Sequence, residues 1–384
     1  MKQNQINKKM KFTMKKMFLL LTALLLTPLA GLYAAAPTLS ELAQPAKRSA
    51  GAPKYEDVCF SPRVLGFDKP ELLLDVAKTF HATRIEWLYV KESDGPALEK
   101  FRDMGISLGL SVAGRDKTEL KKGPHGFKAK PEYYTIGRAL DIEGKIVEDG
   151  LGSFHDPAYN EVERNWFRLL AKFGAQRIHK DDADWKYKDW DFNPYALAQF
   201  NDYLATCSPQ ALQALQIGSP KSFDLKAYIR SHNDGKTVPK ELKRLWEDFR
   251  LKALRSHYEQ QRKWAAEFIG PNIEFTANHG SFIQPTPAVD WSDWPISELQ
   301  PSGTYFGIGN PWSLYAKVKR FRGEGKALVV TLGSSDTQEN KTMIALTYAM
   351  GAHMLTPYAV YLKNNLPRYY PNPTLYSDVY FTRF

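Results

Sequence analysis

The sequence predicts a (β/α)8 TIM barrel with long insertions after its third and fourth strands, the β3–α3 and β4–α4 regions of an ideal eightfold repeat. Strand-like and helix-like segments alternate from about residue 57 to the end of the chain, and the strand candidates number eight. An open, doubly wound sheet uses the same local units, but no Gly-rich phosphate-binding turn follows an early strand. The strand candidates are residues 58–61, 83–90, 106–112, 175–185, 273–279, 293–299, 327–332 and 353–358.

Helices are predicted where apolar residues recur at helical spacing, and several of these segments end at a glycine. The longest carries Leu242, Phe249 and Tyr258 and stops at Gly270. The insertion after the third strand, residues 114–157, includes a predicted hairpin. The hairpin covers 134–147, and the other predicted helices are residues 70–81, 96–104, 161–173, 194–206, 311–321 and 341–350, with a last helical turn at 374–382.

The first 36 residues have the pattern of a secretory signal peptide. Six lysines lie in the first sixteen residues, an apolar run covers residues 17–32, and small residues occupy positions 34–36. The apolar run is too short and too interrupted for a comfortable membrane span. Residues 37–56 are predicted to be a linker or arm, and residues 57–384 a single catalytic barrel. The sequence therefore predicts a secreted or periplasmic protein with no stable membrane insertion after the signal is cleaved.

The charge of the chain is concentrated in that signal segment. Of the formal charge of +10, six units come from lysines in the first sixteen residues, which leaves +4 for the rest. This modest value argues against nucleic acid as a partner and permits an anionic glycan without requiring one. For Cys59 and Cys207, two buried thiols are favoured over one long-range disulfide, and the Cys spacings of metal sites are absent. No cofactor is predicted, and the oligomeric state is left open.

The most unusual stretch is the fourth strand candidate, which follows a helix and a glycine. Three carboxylates, Asp181, Asp182 and Asp184, fall within four residues at its far end. Carboxylates are poor strand formers and repel one another, so clustering them there costs stability. In a parallel α/β fold substrates bind at the carboxyl ends of strands, so the cluster predicts a functional site. A solvated acidic loop is the alternative.

The ends of the other strands add aromatic rings, amides and a further acid to this predicted site. Glycoside cleavage requires two acids that flank the glycosidic bond, and sugar rings stack on flat apolar faces. The sequence therefore predicts a carbohydrate substrate. The predicted substrate-binding residues are Glu86, Trp87, Tyr89, His179, Lys180, Asn278, His279, Trp294, Tyr305 and Tyr358.

The two catalytic roles are assigned from the surroundings of each acid. Glu298 has mostly apolar neighbours in the sequence, which raise a carboxyl pKa, so it is predicted to be the acid/base. Asp182 or Asp181, beside Lys180, is predicted to be the nucleophile or base. Lys180 and Asp182 share one face of the strand while His179 and Asp181 share the other. Asp182 is slightly preferred, but the alternation alone does not say which face lines the pocket.

Each of these residues also has a structural interpretation. Glu86 is as well explained by an ion pair with Arg84 or another basic group at the barrel floor. Glu298 could cap the loop that follows its strand. The aromatic residues, Trp87 and Trp294 among them, could pack the barrel in the ordinary way.

Four segments, in this order, resemble secreted bacterial barrel glycoside hydrolases related to the β-galactosidase-type and α-galactosidase-type barrels. They are residues 83–89, 174–182, 278–280 and 296–299. Lys180-Asp181-Asp182 is similar to the Lys-x-Asp of the α-galactosidase clan, whose nucleophile is on strand four and acid/base on strand six. That resemblance implies Asp182 and Glu298, the Glu standing where the clan has an Asp. The Asn-Glu pair that ends strand four in β-galactosidase-type barrels is absent here.

The leading prediction is thus an exported glycoside hydrolase that acts on a poly- or oligosaccharide. One alternative is a non-catalytic carbohydrate-binding barrel. A less favoured one is a metal-dependent hydrolase with Asp181, Asp182 and His179 or His279 as ligands, although the chain has no His-x-His on strand one. The separation of the two acids distinguishes mechanisms, because about 5 Å fits retention and roughly 6.5–9.5 Å fits inversion of the anomeric centre.

Overall fold

Eight parallel strands form one sheet in the computed structural model, and they neighbour one another in chain order. An isolated parallel bridge between Cys59 and Leu355 joins the last strand to the first, so the sheet closes on itself. The predicted (β/α)8 barrel is confirmed. The strands are β1 (Cys59–Phe60), β2 (Arg84–Tyr89), β3 (Ser107–Val112), β4 (Arg177–Lys180), β5 (Glu274–Asn278), β6 (Trp294–Leu299), β7 (Val329–Leu332) and β8 (His353–Met354).

All of these strands belong to a compact unit that spans Lys47–Phe384. The predicted signal peptide and the predicted last helical turn lie outside the described residues. The same is true of most residues of the predicted arm and of the predicted helix 70–81. None of the helices within the described part is long and apolar enough to cross a membrane. The structure describes residues 51–61, 74, 77–78, 81–90, 94–112, 136–147, 152–180, 190–233, 235–278, 291–299, 311–332 and 337–355.

The helices lie between the strands along the chain, with extra ones after β4. Both predicted insertions are confirmed, because β3 and α2 are separated by residues 113–156 and three short helical segments follow α3. The helices are α1 (Gly95–Asp103), α2 (Pro157–Lys172), α3 (Pro194–Leu204), α4 (Pro209–Ala214), α5 (Leu225–Arg230), α6 (Lys240–Phe268), α7 (Pro311–Gly323) and α8 (Thr337–Ala349), with a 3₁₀ turn at Pro220–Ser222.

Helix α2, which leads into β4, has clear start and stop signals in the sequence. The Asp156 side chain accepts a hydrogen bond from the Ala158 amide, and Pro157 occupies the first turn. A capping carboxylate followed by proline satisfies an otherwise unpaired amide and presets the first helical φ. Gly174 then turns the chain with φ of +72°, a conformation that glycine adopts without steric cost. These signals define the start of β4 three residues later.

Two apolar layers hold the barrel together. Between sheet and helices, Ile178 of β4 and Phe275 of β5 pack with Phe167 of α2 and Trp264 of α6. Inside the barrel, a second cluster joins strands that are not neighbours in the sheet. Its members are Ala52, Cys59, Trp87, Trp294, Ile296, Ala327, Val329 and Leu355. The interior is therefore filled by side chains, as in other barrels of eight strands.

The insertion after β4 has an apolar core of its own. Residues of α3, α5 and the first half of α6, such as Phe200, Ile229 and Phe249, pack together there. The neighbouring insertion after β3 is fastened to it, because the Leu140 amide donates to Asp191 Oδ1 over 3.2 Å. An antiparallel bridge between Leu140 and Ile146 forms part of the predicted hairpin.

Both cysteines are free thiols. Cys59 is fully buried in the barrel interior, and burial raises the pKa of its thiol to about 12. Cys207 is half-buried, and its thiol donates to the Tyr203 carbonyl oxygen. The structure agrees with two thiols in place of a disulfide, and Cys207 is more accessible than the sequence predicts.

Candidate functional site

The four residues of β4 alternate between the barrel interior and the helix layer. Arg177 and His179 point inward, where Arg177 bonds to Glu86 of β2 and the His179 ring lies 4.8 Å from the Trp87 ring. Ile178 and Lys180 point outward to the helices; Ile178 belongs to the sheet–helix core, and Lys180 Nζ is 3.0 Å from Glu163 Oε1 of α2. Within β4, the odd-numbered residues therefore face the barrel interior and the even-numbered residues face the helices. The sequence alone left this orientation open.

Glu86 lies deep inside the barrel between two arginines. Its Oε1 accepts from Arg84 Nε over 2.8 Å and from Arg177 Nε over 2.7 Å. Glu86 is 0% exposed. The other oxygen, Oε2, lies against Gly109 of β3, where a Cβ atom would sit only 2.1 Å away. The described contacts of Glu86 are thus those of the ion pair that the sequence offered as its structural interpretation, extended by Arg177.

The barrel floor below Glu86 is closed by the segment that precedes β1. The Gly51 amide donates to Glu274 Oε1 over 2.6 Å, and the Gly51 carbonyl oxygen accepts from Arg84 over 2.6 Å. Trp294 donates through Nε1 to Glu274 Oε2 over 3.0 Å and lies beneath the Arg84 guanidinium. Trp294, predicted to bind substrate, is buried at this amino-terminal end of the strands, where its contacts are structural.

A bulge in β2 brings Trp87 and Tyr89 into the interior after Glu86. The pairing of β2 with β3 shifts register between Ile85 and Leu88, and Trp87 has a φ of +57°. A bulky residue rarely adopts this left-handed backbone, and such outliers concentrate at functional sites. Trp87 Nε1 donates to the Tyr89 hydroxyl oxygen over 3.1 Å. Tyr89 is half-buried while Trp87 is fully buried, so Tyr89 is the more accessible ring of the pair.

His179 and Asn278 occupy neighbouring strands near the carboxyl ends of β4 and β5. His179 is fully buried, and its Nδ1 lies 2.8 Å from Thr276 Oγ1 of β5. Asn278, the last residue of β5, is paired in register with Ile296 of β6 and is 6% exposed. Of these two polar side chains, His179 contacts the Trp87 ring.

Lys180 does not lie in the predicted pocket but belongs to a buried polar cluster in the helix layer. Glu163 of α2 is at the centre: Oε1 is 3.0 Å from Lys180 Nζ, and Oε2 is 3.1 Å from Gln261 Nε2 and 2.7 Å from His257 Nε2. Every member is less than one-tenth exposed. We call Glu163, Lys180, His257 and Gln261 the strand-four anchor.

Glu163 and His257 were not predicted from the sequence, although a signal for both exists. Glu163 falls on the apolar stripe of α2, among the buried residues Tyr159, Val162 and Phe167. A carboxylate on the buried face of an amphipathic helix needs a partner, because charged groups are almost never buried alone. His257 lies in the same way on the buried face of α6. Only the fold shows that Lys180 is the partner.

Glu163 makes the stability of the fold depend on pH. Burial alone would raise its pKa, but Lys180 and His257 outweigh burial and hold the pKa of Glu163 well below its ordinary value of 4.5. Ionised Glu163 therefore stabilises the fold above that value, and the contribution is lost as pH falls below it. We expect the difference in unfolding free energy between wild type and Glu163→Gln to be largest near neutral pH and to shrink in acid.

Urea denaturation of both proteins between about pH 7 and about pH 3 measures this difference. Glu161→Gln is the matched control, because Glu161 is an exposed carboxylate on the same helix, 3.0 Å from Arg168. Its difference from wild type should stay small throughout. A Glu163→Gln difference that does not vary with pH would contradict the assignment.

Several predicted site residues fall outside the described residues, so the structure does not describe their positions. For Glu298 the backbone is described: it lies in β6 and pairs with Thr331 of β7. Its neighbour Ser297 accepts from Lys317 Nζ of α7 over 3.1 Å, so Ser297 faces the helix layer. The residues outside the described part are Asp181, Asp182, His279, Tyr305 and Tyr358.

The described residues contain no candidate metal site. Within residues 51–355, gaps excepted, no group of three or more His, Cys, Asp and Glu side chains is arranged to hold a metal ion. Asp181, Asp182 and His279, the ligands of the metal-dependent alternative, lie outside the described residues.

Three solved structures resemble this chain in fold. The fold is similar to the catalytic domain of a β-amylase from Paenibacillus polymyxa, with a TM-score of 0.46 and 10% identity over 78% of this chain and 91% of that one. It is also similar to the glycoside hydrolase domain of PelA from Pseudomonas aeruginosa, with a TM-score of 0.42 and 11% identity over 79% of this chain and 96% of that one.

A third similar structure is the GH26 domain of an endo-β-mannanase/endo-β-glucanase from Prevotella bryantii. Its TM-score is 0.36, and its 11% identity extends over 78% of this chain and 84% of that one. No protein-family model matches the sequence, and no curated protein matches it. The likeness to these three structures is one of fold.

Proposed function

We propose that this chain is a glycoside hydrolase that cleaves O-glycosidic bonds of an extracellular or periplasmic poly- or oligosaccharide. The observation that carries the proposal is the convergence of β4 and β6 on one mouth. All eight strands are parallel, so the carboxyl ends of β4 and β6 open on the same side of the barrel. In the sequence, Asp181 and Asp182 follow β4, and Glu298 is part of β6. The aromatic pair Trp87 and Tyr89 lies in the barrel interior.

The spacing of the two strands suits a pair of catalytic acids. β5 lies between β4 and β6, with Lys180 opposite Ala277 and Asn278 opposite Ile296. Neighbouring strands are about 4.8 Å apart, so the backbones of β4 and β6 are separated by about 10 Å. Side chains that reach toward each other from these backbones shorten the gap. The range of roughly 5–9.5 Å used by glycosidases is therefore accessible from this pair of strands.

Alternation along the two strands favours particular acids. In β4 the inward residues are Arg177 and His179, so the same alternation, carried past Lys180, favours Asp181 over Asp182 for the pocket. This reverses the slight preference for Asp182 that the resemblance to Lys-x-Asp barrels implied. In β6 the outward residue Ser297 precedes Glu298, so alternation favours Glu298 for the interior.

The proposed division of labour follows from the charge each acid must carry. Glu298, on a strand whose interior neighbours Trp294 and Ile296 are apolar, is proposed to donate a proton to the leaving oxygen. Asp181 is proposed to be the charged partner that attacks carbon or orients water. Tyr89, the accessible ring of the interior pair, offers a flat face for a sugar ring. Residues 1–36 are proposed to direct export.

The test is hydrolysis of a panel of aryl glycosides and polysaccharides by wild type and Glu298→Gln. We expect wild type to release reducing ends from at least one substrate and Glu298→Gln to lower that rate by about 10²–10⁴-fold, the usual contribution of a general acid. Glu324→Gln is the control, because Glu324 is an exposed carboxylate that pairs with Arg320 just after α7. It should retain wild-type activity.

The same preparations also test export, because activity should appear in the medium or periplasm of the expressing cells, with residues 1–36 removed. Wild-type protein that binds a polysaccharide without cleaving it would support the non-catalytic barrel instead. Full activity in Glu298→Gln would reject the assignment of the acid/base.

A further inference from the structure

His179 and Lys180, the last two residues of β4, make contacts on opposite faces of the strand, just before the candidate acids in the chain. On the interior side, His179 is held by Thr276 Oγ1 at 2.8 Å and by the Trp87 ring. On the helix side, Lys180 is held by Glu163 Oε1 at 3.0 Å. Two successive residues on opposite faces of a strand are therefore fixed, and Asp181 is the next residue along the chain.

Stability alone does not require a buried ion pair at the strand-four anchor, although Glu163 stabilises the fold once Lys180 is there. Replacing a buried ion pair by well-packed apolar residues is often neutral or stabilising, because the pair pays a large desolvation cost. Apolar packing is available here, since Ile178, the other outward residue of β4, packs with Phe167 of α2. An ion pair offers what apolar packing does not, namely a fixed direction for the side chain that it holds.

Both carboxylate oxygens of Glu163 have partners within the strand-four anchor. Glu163 receives Lys180 from the strand and both His257 and Gln261 from α6, so its two oxygens are engaged by two different elements. Tyr159, one turn earlier on α2, adds its hydroxyl at 3.3 Å from Glu163 Oε1. A carboxylate held in this way has little freedom to follow a movement of β4.

We infer that Glu163, acting through Lys180, is a positioning residue for Asp181, the acid that follows β4 in the chain. This inference rests on the proposed function, and it adds a residue that lies in the helix layer and contacts no substrate. Catalytic groups must be held closely, because a misplacement of about 1 Å can cost about 10²-fold in rate. The anchor supplies that hold from outside the barrel.

The first experiment removes the anchor without leaving a lone buried charge. The double variant Glu163→Gln with Lys180→Met should fold cooperatively and show kcat lowered at least about tenfold, with KM changed less than about threefold. The matched control is Arg164→Met with Glu267→Gln. This ion pair of 2.7 Å begins at the next residue of α2, but it is half-exposed and joins α2 to α6 and not to a strand. Its kcat should equal that of wild type.

The second experiment measures the geometry of the strand end without using hydrolysis. Asp181→Cys is placed in a Cys207→Ser background, where Cys59 remains fully buried. Its rate of reaction with a thiol reagent is compared in the intact anchor and in the Glu163→Gln, Lys180→Met background. We expect the rate to change by at least about threefold, because thiol reactivity follows access and surroundings.

The outcomes separate the two proposals. An unchanged labelling rate, or an unchanged kcat in a folded double variant, overturns the positioning role of Glu163. A labelling rate that responds to the anchor in a protein that cleaves no glycoside supports the positioning role and rejects the proposed function.

Discussion

Asp181→Asn is expected to lower kcat by at least about a hundredfold, whereas Asp182→Asn is expected to lower it by less than about tenfold. The reason is the alternation of β4, in which Arg177 and His179 face the interior and Lys180 faces α2. Residues of a strand alternate strictly unless a bulge intervenes, so we expect Asp181, and not Asp182, to follow His179 on the interior face.

Asp181→Asn and Asp182→Asn make the same chemical change at adjacent positions, so a difference between them reports the position alone. Both replace a carboxylate by an amide of the same shape, so any general effect of charge at the strand end is common to both. Steady-state kinetics on the best substrate of the wild type, with the unfolding midpoints of both variants as control, makes the measurement. A larger loss in Asp182→Asn would mean that the alternation breaks after Lys180.

Glu86→Gln is expected to lower the free energy of unfolding by about 3–5 kcal/mol, the usual cost of removing one partner of a buried ion pair. Glu86 is 0% exposed and its Oε1 serves both Arg84 and Arg177. Arg84 keeps Asp57 at 3.2 Å and the Gly51 carbonyl oxygen. Arg177 keeps only a long bond of 3.5 Å to the Ile85 carbonyl oxygen among its described contacts, so it accounts for most of the loss.

Urea denaturation at neutral pH measures this loss. Adding Arg177→Met to Glu86→Gln removes the uncompensated charge and should recover at least about 1 kcal/mol. Glu161→Gln, which breaks an exposed pair with Arg168, should cost about 1 kcal/mol or less. A loss in Glu86→Gln as small as in that control would show that the arginines are satisfied without the carboxylate.

The barrel was predictable from the sequence because each strand is a short apolar run between helix signals. β6 illustrates this: the predicted strand covers 293–299, and the structure has Trp294–Leu299. For β4 the predicted stretch 175–185 includes the described strand, Arg177–Lys180. Aliphatic content, helix periodicity and terminating glycines are local signals, and the order of strands in a parallel barrel follows the order in the chain.

The site was less predictable because it depends on contacts between distant residues. Lys180 was expected in the pocket from its position at a strand end, but its partner Glu163 lies on the preceding helix. Glu86 and Trp87 were both predicted to line the site, but simple alternation places successive residues on opposite faces, and only the bulge in β2 turns both toward the interior. A tryptophan with positive φ carries no sequence signal, because only glycine and a few polar residues adopt that conformation readily.

The helical insertion with its own core bears on how the chain reaches its native topology. β4 and β5 pair side by side although residues 181–273 separate them. The entropy lost in closing such a loop grows only with the logarithm of its length, about 0.6 kcal/mol for each doubling. Within this segment, α3, α5 and α6 form an apolar core of their own. A barrel can therefore acquire a whole module between two adjacent strands at small thermodynamic cost, which leaves that junction open to evolutionary elaboration.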